Sequence, residues 1–167
     1  VHYNNWICLM TSETLTLALD YGVKKMGMAL GNSITHNARP FDILAMNNGQ
    51  PDWDNLLGII EHWGIDRVLV GLPLNMDGTE SMLTKRAHKF ARRLAHRLGE
   101  RRQAVSVFIY DERLSSKEAK MIALDNGWIA SSSEPIDDIA ACLLLDSYYH
   151  APNHAIYVSE RKDSHKD

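Results

Sequence analysis

Thr14 to Asn32 reads TLTLALDYGVKKMGMALGN, a stretch in which a carboxylate closes a buried apolar run. Leu15 to Leu19 is apolar at nearly every position, the pattern of a central strand covered on both faces. Tyr21-Gly22 follows as a turn signal, and Met26 to Leu30 forms a second strand, so the two read as a hairpin. Asp20 stands at the mouth of the first strand. A carboxylate is seldom buried without a partner, so Asp20 either caps the loop or serves chemistry.

Working outward, Ile34 to Leu44 alternates loosely and contains Pro40, which suits an edge strand. Pro51-Asp52-Trp53 starts a helix whose apolar face is Leu56, Leu57, Ile59, Ile60 and Trp63, and Gly64 stops it. RVLVGL (67 to 72) is another buried strand. The loop from Pro73 to Gly78 leads into a helix with Leu83, Ala87, Phe90, Leu94 and Leu98 as its core stripe. Val105 to Tyr110 is a further strand and ends in Asp111-Glu112-Arg113. Ser115 and Glu118 form a capping box for a short helix closed by Asn126-Gly127. Asp137 to His150 is the last helix. Three strands in series, then alternating helix and strand, predict an α/β fold: a mixed five-stranded sheet, antiparallel first and parallel later, flanked by helices.

With 167 residues, 45% of them hydrophobic, the chain suits a single domain with a proper core. That domain is expected over 14–150, preceded by an extension at 1–13 and followed by a polar, disordered tail at 151–167. Cys8 and Cys142 are too few for a disulfide framework and have no metal-ligand spacing, which points to a reducing, cytoplasmic compartment. No apolar run reaches membrane-spanning length. The net charge of −3 does not itself suggest a polyanion as partner, but its distribution does. From 85 to 102 there are eight cations (Lys85, Arg86, Lys89, Arg92, Arg93, Arg97, Arg101 and Arg102) against Glu100 alone. A solvated helix face normally mixes its signs; this one suits a duplex or structured RNA backbone.

Carboxylates meet the edge of the expected core at Asp20, at Asp111-Glu112 and at Asp137-Asp138. Such a cluster is what phosphodiester hydrolysis needs, because two divalent ions held by acids activate water and offset charge on the phosphorane. Magnesium prefers oxygen ligands and keeps several waters, so three or four acids suffice. Each acid also has a plainer reading. Asp137 and Asp138 in a first helical turn favour the helix dipole by ~0.3 to 1 kcal/mol, and Asp111 or Glu112 can simply pair with Arg113. His150 and His154 are four apart, but Pro152 breaks the helix between them, and they are read as non-ligands. Trp53 and Trp63 are read as core rather than as base-stacking platforms.

The segments ALDYGVKKMGMALGN (18 to 32), VGLPLNMDGTE (70 to 80), LTKRAHKFARRL (83 to 94), DERLSSKEA (111 to 119) and IDDIAACLLLDSYY (136 to 149) together resemble the YqgF/RuvX family. Its members are described as Holliday-junction resolvases and as pre-16S rRNA processing nucleases. The resemblance spans about Leu15 to Tyr149 and implies an RNase H-like fold. It implies catalytic acids at Asp20, Asp111, Glu112 and Asp137, and magnesium, with manganese as substitute, on Asp20, Glu112, Asp137 or Asp138. Asn75 and Thr79 would meet phosphate, Arg113 would steady the leaving phosphate or nearby acids, and Lys85, Arg86 and Lys89 would steer RNA. Family members often carry a lysine shortly before the last acid; Glu134-Pro135 stands there instead, so no cation is assigned to that point.

The expectation is a metal-dependent endonuclease acting on the 5′ side of precursor 16S rRNA in ribosome biogenesis, as a monomer or homodimer. The alternatives are a resolvase of four-way DNA using the same acids, and a non-catalytic assembly or transcription factor that binds nucleic acid. An actin-class ATPase is disfavoured, since it needs two such domains to sandwich a nucleotide.

Overall fold

Strands β1 (Leu15–Asp20) and β2 (Lys25–Asn32) pair antiparallel, and β3 (Ala38–Ala45) continues the meander along β2. The structure, a computed structural model, describes residues 14–73, 81–112, 116–130 and 139–159, with side chains at all of these except 112 and 116–120. Strand β3 begins later than Ile34 because the Asn32 side-chain carbonyl accepts from the backbone N–H of Ile34 (2.8 Å) and Thr35 (3.2 Å), folding that segment into a turn. Pro40 lies in β3 beside a register shift at Met28/Ala29, on the sheet edge where a missing N–H is tolerated.

Helix α1 (Trp53–His62) is capped by the Asp52 carboxylate, which accepts from the Asn55 N–H at 3.2 Å. Gly64, at φ +63°, ends it. Next come β4 (Arg67–Pro73), α2 (Met82–Glu100), β5 (Ser106–Glu112), α3 (Ser116–Asp125) and α4 (Ala140–His150). A capping box of Ser81 and Thr84 opens α2, and the buried Thr84 hydroxyl donates to the Pro73 carbonyl, tying the helix start to the end of β4. Ser115, half of the capping box expected for α3, lies outside the described residues.

Strands β4 and β5 run parallel to β1, giving the order β3-β2-β1-β4-β5 with a sixth strand, β6 (Ile156–Tyr157), antiparallel on β5. The five-strand expectation is corrected by β6, and so is the disordered tail as far as Ser159. A short 3-10 turn (Pro152–His154) brings the chain back, the Val158 N–H donates to the Val107 carbonyl at 2.8 Å, and the Val158 side chain is buried. The three apolar residues Ile156 to Val158 close the β5 edge, a local signal that the polar composition of the tail hides.

Alternation divides the core. Leu17, Leu19, Val68, Val70, Val107 and Ile109 face the layer containing Leu56, Ile60, Phe90 and Leu94 of α1 and α2, while Ala18, Ala29, Leu69 and Tyr110 face Cys142, Leu144, Leu145 and Tyr148 of α4. Strands covered on both sides account for the continuous apolar run of β1. Trp53 packs partly buried against the core, whereas Trp63 is 41% exposed with its ring edge-on to Phe41. Among the described residues no helix is long and apolar enough to cross a membrane.

Candidate functional site

Asp20 is the last residue of β1 and is half-buried. Its in-register neighbours are Gly27 on β2 and Gly71 on β4, and the row continues to Ile43 on β3 and Tyr110 on β5. In-register residues share a sheet face, and neither strand neighbour of Asp20 carries a side chain. A cavity of about 230 Å³ opens there, lined by Asp20, Gly27 and Ile43 together with the turn residues Gly22, Lys24 and Lys25. The turn is tight: a Cβ on Gly22 would collide with the Lys25 carbonyl, so glycine is required for the strand to reverse directly after the acid.

Position 111 pairs with Leu72 and position 112 with Pro73. By alternation Asp111, which is exposed, belongs to the face of Val107 and Ile109, whereas position 112 belongs to the face of Tyr110, Ala18 and Asp20. With strands about 4.8 Å apart and about 3.3 Å per residue, the Cα atoms of Asp20 and Glu112 lie roughly 12 Å apart. Asn75, Thr79, Arg113, Asp137 and Asp138 lie outside the described residues. Among the described residues, no three His, Cys, Asp or Glu side chains converge as a metal cluster.

The direction of α4 follows from its contacts. Tyr148 accepts from Arg67, the first residue of β4, and Tyr149 lies against Gly31, which pairs with Thr16 near the start of β1. The C-terminal half of α4 therefore covers the beginning of the parallel strands, and its start faces the end where Asp20 stands. Tyr110 anchors the same helix by donating to the Ser147 carbonyl at 3.0 Å; burial, reinforced by the neighbouring Asp111 carboxylate, raises its pKa.

Of the basic residues on α2, Lys85, Lys89, Arg92 and Arg93 are exposed and Arg86 is half-buried. Arg86 donates to the Asn48 backbone carbonyl at 2.5 Å and to its side-chain oxygen at 3.3 Å. Towards the helix end the charge is partly offset by His96 with Glu100 (2.9 Å) and Arg101 with Asp54 (2.6 Å). Both pairs lie towards the C-terminal end of the helix, away from the end of β4. Sequence reading passed over Lys24, Lys25, Gly27, Gly71 and the Asn48-Gly49 turn. The lysine pair next to Asp20 and the Asn-Gly dipeptide were visible signals; the two glycines acquire meaning only through strand register.

Comparison with known proteins gives the family and the fold. The family described as "RuvX: Holliday junction resolvase" matches residues 14–151. A Psychrobacter arcticus protein named "Putative pre-16S rRNA nuclease" is 66% identical over 148 residues, 89% of this chain and 84% of its own length. A Saccharophagus degradans protein of the same name is 43% identical over 146 residues, covering 86% of this chain and 99% of that one. The solved structure of Thermus thermophilus RuvC in complex with Holliday junction substrate superposes with a TM-score of 0.60 at 12% identity, over 87% of this chain and 99% of that one, a likeness of fold. A family match over nearly the whole described domain, with two-thirds identity to a curated relative, makes this chain a member of the RuvX nuclease family.

Proposed function

We propose that this protein is a metal-dependent endonuclease that hydrolyses phosphodiester bonds, with the 5′ region of precursor 16S rRNA as its substrate and the cytoplasm as its place of action. The observation that carries the reading is Asp20 at a strand mouth, half-buried, flanked in register by Gly27 and Gly71 and lining a cavity of about 230 Å³ together with Lys24 and Lys25. The names borne by the relatives support the choice of RNA.

Hard oxygen donors suit magnesium, or manganese in its place. The residues that would hold it are Asp20, Glu112 and Asp137, with Asp138 next to Asp137 in the chain. Strand alternation favours Glu112 over Asp111, since only position 112 shares a face with Asp20. When bound, such ions supply an activated water and offset charge on the phosphorane and the leaving oxygen. The chain's own part is placement. The Gly22 turn fixes Asp20 against the strand end, and Lys24 and Lys25 bring positive charge to the same cavity. Lys85, Arg86 and Lys89 draw the polynucleotide in, Asn75 and Thr79, which precede α2 in the chain, are proposed to meet phosphate, and Arg113 is proposed to steady the leaving group.

The test is cleavage of a 5′-extended 16S precursor by purified protein with magnesium. Wild type is expected to cut it, and Asp20→Asn to lose roughly a hundredfold or more of the rate, with its fold retained. Undiminished cleavage by that variant would remove the proposal. Preferred symmetric nicking of a four-way DNA junction by wild type would reassign the substrate to DNA and leave the same acids in place.

A further inference from the structure

A second cavity, of about 240 Å³, lies on the opposite side of Tyr21 from the Asp20 cavity, and Tyr21 lines both. Its wall is Arg86, Lys89 and Arg93, which lie three and four residues apart and so share one side of α2. Among the described residues no carboxylate lines it, and none of these three cations has an acidic partner. Three cations around one concave space make a local positive potential that favours an anion.

The opposite wall is a built turn. Asn47 and Gln50 exchange backbone hydrogen bonds (2.7 and 3.1 Å) around Asn48 at φ +50° and Gly49 at φ +81°, the signature of a type I′ turn. The Tyr21 hydroxyl donates to the Gly49 carbonyl at 3.0 Å, and the Gly49 N–H donates to the Val23 carbonyl at 2.8 Å, which ties this turn to the loop that follows Asp20. A Cβ on Gly49 would stand 2.7 Å from Arg86 Nη2 and collide with the Tyr21 hydroxyl. Glycine is thus needed for Arg86 to lie where it does.

The occupant follows from size and chemistry. Small-molecule pockets occupy ~300 to 1,000 Å³, so this smaller space suits one phosphate group rather than a whole nucleotide. Base stacking is disfavoured because the Trp53 ring already packs on Phe90, 5.5 Å between centroids, and carries the Arg97 guanidinium 4.5 Å from its own centroid. We propose that Arg86, Lys89, Arg93 and the Asn48-Gly49 turn form a phosphate pocket that holds a backbone phosphate of the polynucleotide on the far side of Tyr21 from Asp20. Its ligand class rests on the nuclease reading. Its role is to fix the register of the strand, a few nucleotides from the bond presented to Asp20.

The experiment measures binding of a fluorescein-labelled single-stranded RNA of about ten nucleotides, and of DNA of the same sequence, in EDTA over a range of salt. Lys89→Gln/Arg93→Gln is expected to weaken binding of both by roughly three- to tenfold and to lower the salt slope by about 0.7, the value of one phosphate contact on a single strand. Arg92→Gln/Arg102→Gln removes the same charge outside the pocket and is expected to cause a clearly smaller loss. Gly49→Ala changes no charge; if folded by circular dichroism, it is expected to weaken binding as the pocket double variant does. Equal losses in the two double variants, or wild-type binding by folded Gly49→Ala, would overturn the pocket while leaving the nuclease reading intact. Failure of wild type to bind either oligonucleotide would also overturn the pocket, while the nuclease reading stands or falls on the cleavage test above.

Discussion

Asp20 owes its setting to glycines: Gly27 and Gly71 are its in-register neighbours, and Gly22 lets the chain reverse against the Lys25 carbonyl. Gly22→Ala is therefore expected to destabilise the protein by about 1 to 3 kcal/mol, because the obstacle is backbone that must shift; a melting temperature equal to wild type would contradict this. Tyr149 illustrates a different residue-scale effect. Its hydroxyl is enclosed beside Thr16 and Gly31, and burial pushes its pKa up to about 12. The unfolded chain releases that proton near pH 10, so stability is fully present below about pH 10 and falls as pH rises towards 12. Tyr149→Phe is expected to flatten that alkaline decline in denaturant titrations; an unchanged slope would show that the phenol does not contribute to it.

Among the elements, α2 is held at its start by Ser81 and by the Thr84 hydroxyl on Pro73, which fixes the basic face relative to the end of β4. Ser81→Ala is expected to lower stability by about 1 kcal/mol, measured by urea unfolding, and no change would mean that the cap is dispensable. Strand β5 shows what sequence could and could not supply. The apolar run up to Tyr110 followed by Asp111-Glu112 announced a strand ending in acids, and the stripe from Leu83 to Leu98 announced the core face of α2. Which acid shares a face with Asp20 depends on a one-residue register, Leu72 with Asp111 and Pro73 with Glu112, and register is set by tertiary pairing with β4. Gly27 and Gly71 lie 44 residues apart in the chain, so their common row is likewise invisible before the sheet is assembled.

For the whole molecule, the order of strands and helices was legible because buried parallel strands and an amphipathic helix leave strong periodic signals, whereas β6 was missed because the short apolar run Ile156 to Val158 is too brief to show a period and sits in a polar tail. That short strand and Val158 cover the outer edge of β5, the strand that presents Glu112. Truncation after Ala151 is expected to expose this edge and promote association, seen as a larger species in light scattering; an unchanged monodisperse profile and melting temperature would deny β6 that role. On the proposed function, the whole assembly serves to bring acids from separate segments to the ends of the central strands. Anomalous diffraction from a manganese-soaked crystal tests this most directly. The account predicts manganese bonded to the carboxylates of Asp20 and Glu112 at about 2.0 to 2.6 Å; absence of metal at Asp20, or metal shared with Asp111 in place of Glu112, would contradict it.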